Sequence, residues 1–177
     1  MTPPKKRSSS PRQSAKRQPW TTVRVILSAK GGEEVSEPPG RDLLVAGSHT
    51  FAALAAGIDS AFARWDLSHL HEFRLSGGRT IVMPDPEGFD DDDEGLDEGK
   101  ITFGEAGLLT GATFEYIFDL GDEWQHDCTV LRTDVDPALE FGHSGPGIVP
   151  VFGWGAIPDQ YGRTSPDEVD DDEDGDE

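Results

Sequence analysis

A single cysteine, Cys128, excludes an intrachain disulfide and a cysteine-rich zinc site. Long apolar runs are missing as well. The longest, residues 51–58 with Gly57 counted in, is far short of the roughly 20 residues needed to span a bilayer. Basic residues are few: 15 Lys and Arg stand against 35 Asp and Glu, for a net charge of −20 over 177 residues. A folded body this acidic repels phosphate backbones, which excludes an ordinary duplex-binding surface on it. The basic N-terminus has no apolar stretch after it, so it does not read as a secretory signal. The expectation is a cytoplasmic protein that enters no membrane. G-x-S-x-G, P-loop and dinucleotide fingerprints are all absent.

What charge there is lies segregated. Residues 1–17 carry Lys5, Lys6, Arg7, Arg12, Lys16 and Arg17 with no acid, among Pro and Ser. Residues 167–177 are nearly all acidic. Neither can bury enough to offset its ordering entropy, so both are expected to be disordered. The basic arm is the one segment suited to nucleic acid or an acidic partner. The reading favoured for the same residues is a solubilising leader, and an arm folded back on the acidic body is a further alternative. Between the tails, residues 18–166 read as one domain, interrupted by a mobile acidic loop at 86–99. Asp90, Asp92, Glu94 and Gly95 imitate the opening of an EF-hand, but Ile101 stands where the bidentate glutamate belongs. The imitation at Asp170, Asp172 and Asp174 runs out of chain first.

Val23, Val25 and Leu27 alternate with more polar neighbours and predict a strand; Leu43, Leu44 and Val45 predict a second. Ser48 or Thr50 then caps a helix whose apolar stripe is Phe51, Leu54, Ala55, Ile58, Ala61, Phe62 and Trp65. Gly57 weakens it by about 1 kcal/mol relative to Ala. Strands follow at 69–75 and 79–83. Residues 28–42 and the Gly-rich 142–155 read as turns and loops. The fold class expected is α+β: a single domain with a predominantly antiparallel sheet packed against one main amphipathic helix, and disordered termini.

Residues 113–130 are the most informative. Phe114, Tyr116, Phe118 and Leu120 alternate with Thr113, Glu115, Ile117 and Asp119; Trp124, His126, Cys128 and Val130 alternate with Glu123, Gln125, Asp127 and Thr129. This is a hairpin with one buried face. Opposed residues of an antiparallel pair share a face, so even must oppose even. A loop of Leu120, Gly121 and Asp122 therefore sets Phe118 opposite Trp124, Tyr116 opposite His126 and Phe114 opposite Cys128. His126 then lies inward and needs a hydrogen bond, with Tyr116 the nearest candidate. Cys128 reads as an inert core thiol.

The run Asp119-Leu120-Gly121-Asp122-Glu123-Trp124-Gln125-His126, preceded by Phe114, Tyr116 and Phe118, resembles the YDFGDxWxH signature of the plasmid pRiA4b ORF-3-like family. Trp65, Asp66 and Ser68-His69-Leu70-His71-Glu72-Phe73 are similar to that family's GW-D-x-HLHEF segment. The resemblance extends from about Thr22 to Arg163. Pro38-Pro39-Gly40-Arg41 lacks a tryptophan that the family carries there, and residues 150–159 lack its C-terminal cysteines. The resemblance implies an α+β fold and, through the labels its members bear as mobile-element passengers or resolvase-like proteins, a link to mobile elements. No serine-recombinase motif accompanies it.

Two functions compete. His69 and His71 share a predicted strand face and, with His126 and Asp119 or Asp122, supply imidazole and carboxylate ligands for a divalent transition metal. That set would support a metal-dependent hydrolase acting through activated water. The same residues can instead fix a helix–strand–hairpin junction. The second function is a noncatalytic binding or regulatory module for a protein partner. Its candidate residues are His69, His71, Tyr116, Asp119, Asp122, Trp124 and His126, together with Phe152, Trp154 and Tyr161. The module is the reading the sequence favours, with the hydrolase as its alternative.

Overall fold

The computed structural model describes residues 19–84 and 95–163. The basic arm, the acidic tail and most of the acidic loop lie outside the described residues. Among the described residues, nine strands form one sheet: β1 (Trp20–Lys30), β2 (Glu33–Glu34), β3 (Gly40–Ala46), β4 (His71–Leu75), β5 (Arg79–Val82), β6 (Leu96–Asp97), β7 (Thr113–Phe118), β8 (Trp124–Val135) and β9 (Val149–Trp154). Their order is β6-β5-β4-β7-β8-β1-β3-β9, with β2 paired to β1. The β5–β6 pair runs parallel, so the sheet is mixed.

Two short helices, α1 (Phe51–Ala61) and α2 (Pro137–Phe141), complete the described elements. The expected sheet packed against one main amphipathic helix is therefore corrected. An 11-residue helix is about 16 Å long, whereas eight strands side by side span roughly 34 Å. One such helix cannot cover the sheet. It contributes Phe51, Leu54, Ala55 and Ile58 to the core, and Phe103 and Ala106 from the following loops cover further ground. α2 buries nothing.

Thr50 is the N-cap of α1, its Oγ1 accepting from Ala53 N at 3.2 Å. The stripe read out to Trp65 breaks earlier. Ala63 turns left-handed (φ 52°), and Trp65 is left half exposed. Three stretches read as loop also carry strands. Residues 28–42 hold the end of β1, all of β2 and the start of β3. Leu96 and Asp97 form β6, and residues 149–154 form the edge strand β9. β2, β6 and β9 do not alternate in hydrophobicity, because two-residue and solvent-facing edge strands have no buried face to encode.

The inner face of the sheet is Val23, Val25 and Leu27 of β1, Leu43 and Val45 of β3, Phe73 and Leu75 of β4, Phe114, Tyr116 and Phe118 of β7, and Trp124, Cys128 and Val130 of β8. The β7–β8 register is the one that parity required: Phe118 opposite Trp124, Tyr116 opposite His126, Phe114 opposite Cys128.

Candidate functional site

The hairpin end of the sheet gathers most of the residues singled out above. Asp119 opens the turn in a left-handed conformation (φ 58°), which Asp tolerates because its short side chain bonds locally. Its Oδ1 accepts from Gly121 N at 3.0 Å and Asp122 N at 3.2 Å. Its Oδ2 is 3.1 Å from His69 Nδ1. His69 Nε2 lies 2.9 Å from the Tyr161 hydroxyl, which donates to Asp66 Oδ2 at 2.6 Å. Asp66 also accepts from Ser68 N and Ser68 Oγ, and these bonds hold its carboxyl well below the usual carboxylate range. Donation to Asp66 pushes the Tyr161 phenol up to about 12. Asp119, His69, Tyr161 and Asp66 thus form one polar chain that ties the hairpin turn, the strap before β4 and the C-terminal segment together. Asp122 acts on Tyr161 only through its charge, while its carbonyl accepts from Gly31 N at 2.9 Å.

A second polar cluster lies beneath, in the core. The Tyr116 hydroxyl donates to Asp59 Oδ1 at 2.8 Å. Burial raises the Asp59 carboxyl to about 6, against the lowering effect of that bond. His71 Nε2 is 2.7 Å from Glu98 Oε2, and Glu98 is 7% exposed. His126 is fully buried, its Nδ1 3.2 Å from the Tyr116 carbonyl oxygen, and burial pushes its pKa down to about 3. Cys128 is buried and its thiol is pushed well up, which keeps it in the inert state expected of it. Trp124 lies between two cations, with Lys30 Nζ 4.2 Å and Arg64 Cζ 3.9 Å from its ring centre.

The three histidines considered as metal ligands take three different partners: His69 the Asp119 carboxylate, His71 Glu98, and His126 a backbone carbonyl. Among the described residues, no group of three or more His, Cys, Asp or Glu side chains is arranged to hold a metal ion. Phe152 and Trp154 stand on β9, at the opposite edge of the sheet from the β4–β6 side, so they do not join the hairpin-end aromatics. Tyr161 does, edge-on to Trp65 at 5.1 Å between ring centres.

Asp59, Arg64 and Glu98 are functional candidates that sequence reasoning missed. Asp59 had a legible signal, an acid on the apolar stripe four residues after Ala55 and three before Phe62. Glu98 was hidden by the acidic run in front of it, and Arg64 by its surface-like residue type. Around the hairpin end, Trp65, Leu67, Leu70, Leu120 and Tyr161 are all at least 41% exposed. Leu70 and Leu120 border an open cleft of ≈ 360 Å³, lined further by His71, Glu72, Val82 and Met83.

Residues 33–143 match the family described as Plasmid pRiA4b ORF-3-like protein. The chain belongs to this family. A relative, the uncharacterized protein y4hQ of Sinorhizobium fredii, is 36% identical over 90 residues, which cover 50% of this chain and 42% of that one. The match thus spans less than half the length of the curated relative. A crystal structure of a protein of unknown function from Methanosarcina mazei Go1, MM3350, superposes with a TM-score of 0.63 at 19% identity, covering 82% of this chain and 75% of that one. At that identity the likeness is one of fold. Among the described residues, no helix is long and apolar enough to cross a membrane.

Proposed function

We propose that this ORF-3-like chain is a noncatalytic binding module that receives an apolar segment of a partner protein at the hairpin end. The supporting observation is the concentration there of Trp65, Leu67, Leu70, Leu120 and Tyr161, exposed beside an open cleft of mixed polar and apolar lining that Leu70 and Leu120 border. Scattered apolar side chains are ordinary on a protein surface, whereas a contiguous group of this kind marks a contact site. The Asp119–His69–Tyr161–Asp66 chain holds the loops that carry them, so little ordering cost is left for binding. Residues 18–166 hold 9 Lys and Arg against 26 Asp and Glu, an acidity that disfavours nucleic acid as the partner of the folded body and suits a segment with basic flanks.

Photo-crosslinking in cells tests this, with benzoylphenylalanine placed at Leu70, at Leu120, and at Leu139 of α2 as an exposed control. The expected result is one discrete adduct from the first two positions, absent at the third and lost when Leu67→Asp is added to a chain of unchanged circular dichroism. Adducts equal at all three positions, or at none, would overturn the proposal.

A further inference from the structure

Arg64 comes three residues after the end of α1. Its backbone N–H donates to the Asp59 carbonyl at 2.8 Å, and left-handed Ala63 turns the chain just before it. The side chain is driven inward. Arg64 is only 6% exposed, with its Cζ 3.9 Å from the Trp124 ring centre and 5.9 Å from that of Phe118. Among the described residues, none of its three guanidinium nitrogens has a hydrogen-bond partner. The same is true of two groups on the inner face of β8, Trp124 Nε1 and His126 Nε2. Asp59 acts on Arg64 through its charge, but its Oδ1 is engaged by Tyr116.

These atoms have defined roles. Guanidinium and indole N–H groups only donate. His126 Nδ1 faces a carbonyl oxygen, which only accepts, so Nδ1 carries the proton and Nε2 presents a lone pair. The set is therefore a planar fork of donors, one further donor and one acceptor, all shielded from water. A buried guanidinium without a partner is costly, and its fork matches two oxygens of a carboxylate or phosphate. An oxyanion that also carries one O–H satisfies His126 as well.

We propose that Arg64, Trp124 and His126 form an internal binding site for a small protonated oxyanion, with the chemistry of hydrogen phosphate or a 2-hydroxycarboxylate. The site lies in the core behind the exposed ledge at the hairpin end, with which it shares the segment carrying Tyr161. Access is through the segment 157–163, which is tied to the chain directly after Arg64. Gln160 Oε1 accepts from Trp65 N at 3.1 Å and Asp66 N at 3.2 Å, and its Nε2 donates to Asp66 O at 3.0 Å. Opening the segment breaks these three bonds together with those of the Tyr161 hydroxyl to Asp66 and His69, as one local unit.

The test follows the indole N–H signals of the full-length, nitrogen-15-labelled chain by NMR. Sodium phosphate is titrated in, and separately sodium lactate, at ionic strength held constant with sodium chloride. The expected result is a saturable shift of the Trp124 signal, assigned by its loss in Trp124→Phe. The Trp154 signal, whose Nε1 already donates to the Pro38 carbonyl, should stay in place. Affinity should fall at least tenfold in Arg64→Met and several-fold in Arg64→Lys, which keeps the charge without the fork. Saturation by phosphate alone or by lactate alone supports the site and identifies which oxyanion it takes. No saturable shift with either, equal shifts of all four indoles, or unchanged affinity in the folded Arg64 variants would overturn it.

Discussion

Tyr116 and His126 face each other across the β7–β8 hairpin, yet their side chains do not bond to one another. His126 Nδ1 donates to the Tyr116 carbonyl, while the Tyr116 hydroxyl crosses the core to Asp59 on α1. The aromatic face of the hairpin is thereby stitched to its own backbone on one side and to the helix on the other.

Tyr116→Phe keeps the ring and removes the hydroxyl that Asp59 accepts. A buried carboxyl deprived of its donor costs about 1–3 kcal/mol. Urea unfolding at pH 7 should show a loss of that size with an unchanged dependence on urea concentration. A loss below about 0.5 kcal/mol would mean that Asp59 finds another donor.

Asp59 also sets a pH dependence. Its folded pKa of about 6 lies above the ordinary 3.8, so between those values the native state binds more protons than the unfolded one. Stability contributed by this group is therefore full below pH 3.8 and lost as pH rises through 6. Two pH units correspond to roughly 2–3 kcal/mol. Asp59→Asn should unfold at the same urea concentration as the parent near pH 4 and at a higher one at pH 7. The comparison cancels carboxyls such as Asp66 and Asp159, whose lowered pKa values give the opposite slope in both proteins. A difference that does not change with pH would refute the assignment.

The histidines make a further prediction, about metal. Their rings are engaged by three separate acceptors, and bringing them onto one ion would break bonds in the core. Adding zinc or manganese to dialysed protein should leave its thermal midpoint unmoved. A saturable rise, abolished by His69→Ala or His71→Ala in a folded chain, would restore the metal-dependent hydrolase as the better reading.

Which features could be read from the sequence follows from burial. The hairpin register was legible because both arms bury one face, so parity left a single alignment. Strands β1, β4 and β5 were legible for the same reason, and β3 as the short apolar run Leu43–Val45, which is buried on both faces. Edge strand β9 was not, since Phe152 is 60% exposed and Pro150 and Gly153 interrupt the pattern. The site was half legible. Asp119 and His69 stand in the family signatures, but nothing local to Arg64 or Glu98 shows that each is driven inward by contacts far along the chain. Tyr161 was read as an aromatic of the binding surface, whereas its bond to Asp66 needs a separation of 95 residues to close.

Gly57 illustrates a local rule giving the wrong sign. Helix propensity alone says that Gly57→Ala should stabilise α1 by about 1 kcal/mol. A Cβ at this position would lie 2.8 Å from Ile148 Cγ2 and 3.1 Å from Ile148 Cβ, too close for either to remain where it is. Ile148 immediately precedes β9, so the glycine is what lets the last strand's approach pack against the helix. Gly57→Ala should then destabilise by about 1–3 kcal/mol through overpacking. In an Ile148→Ala background the same change should cost less, because the 2.8 Å contact with Cγ2 is gone and only the 3.1 Å approach to Cβ remains. A double-mutant cycle by thermal or urea unfolding reads this directly, and additive effects of the two substitutions would show that the helix and Ile148 are not in contact.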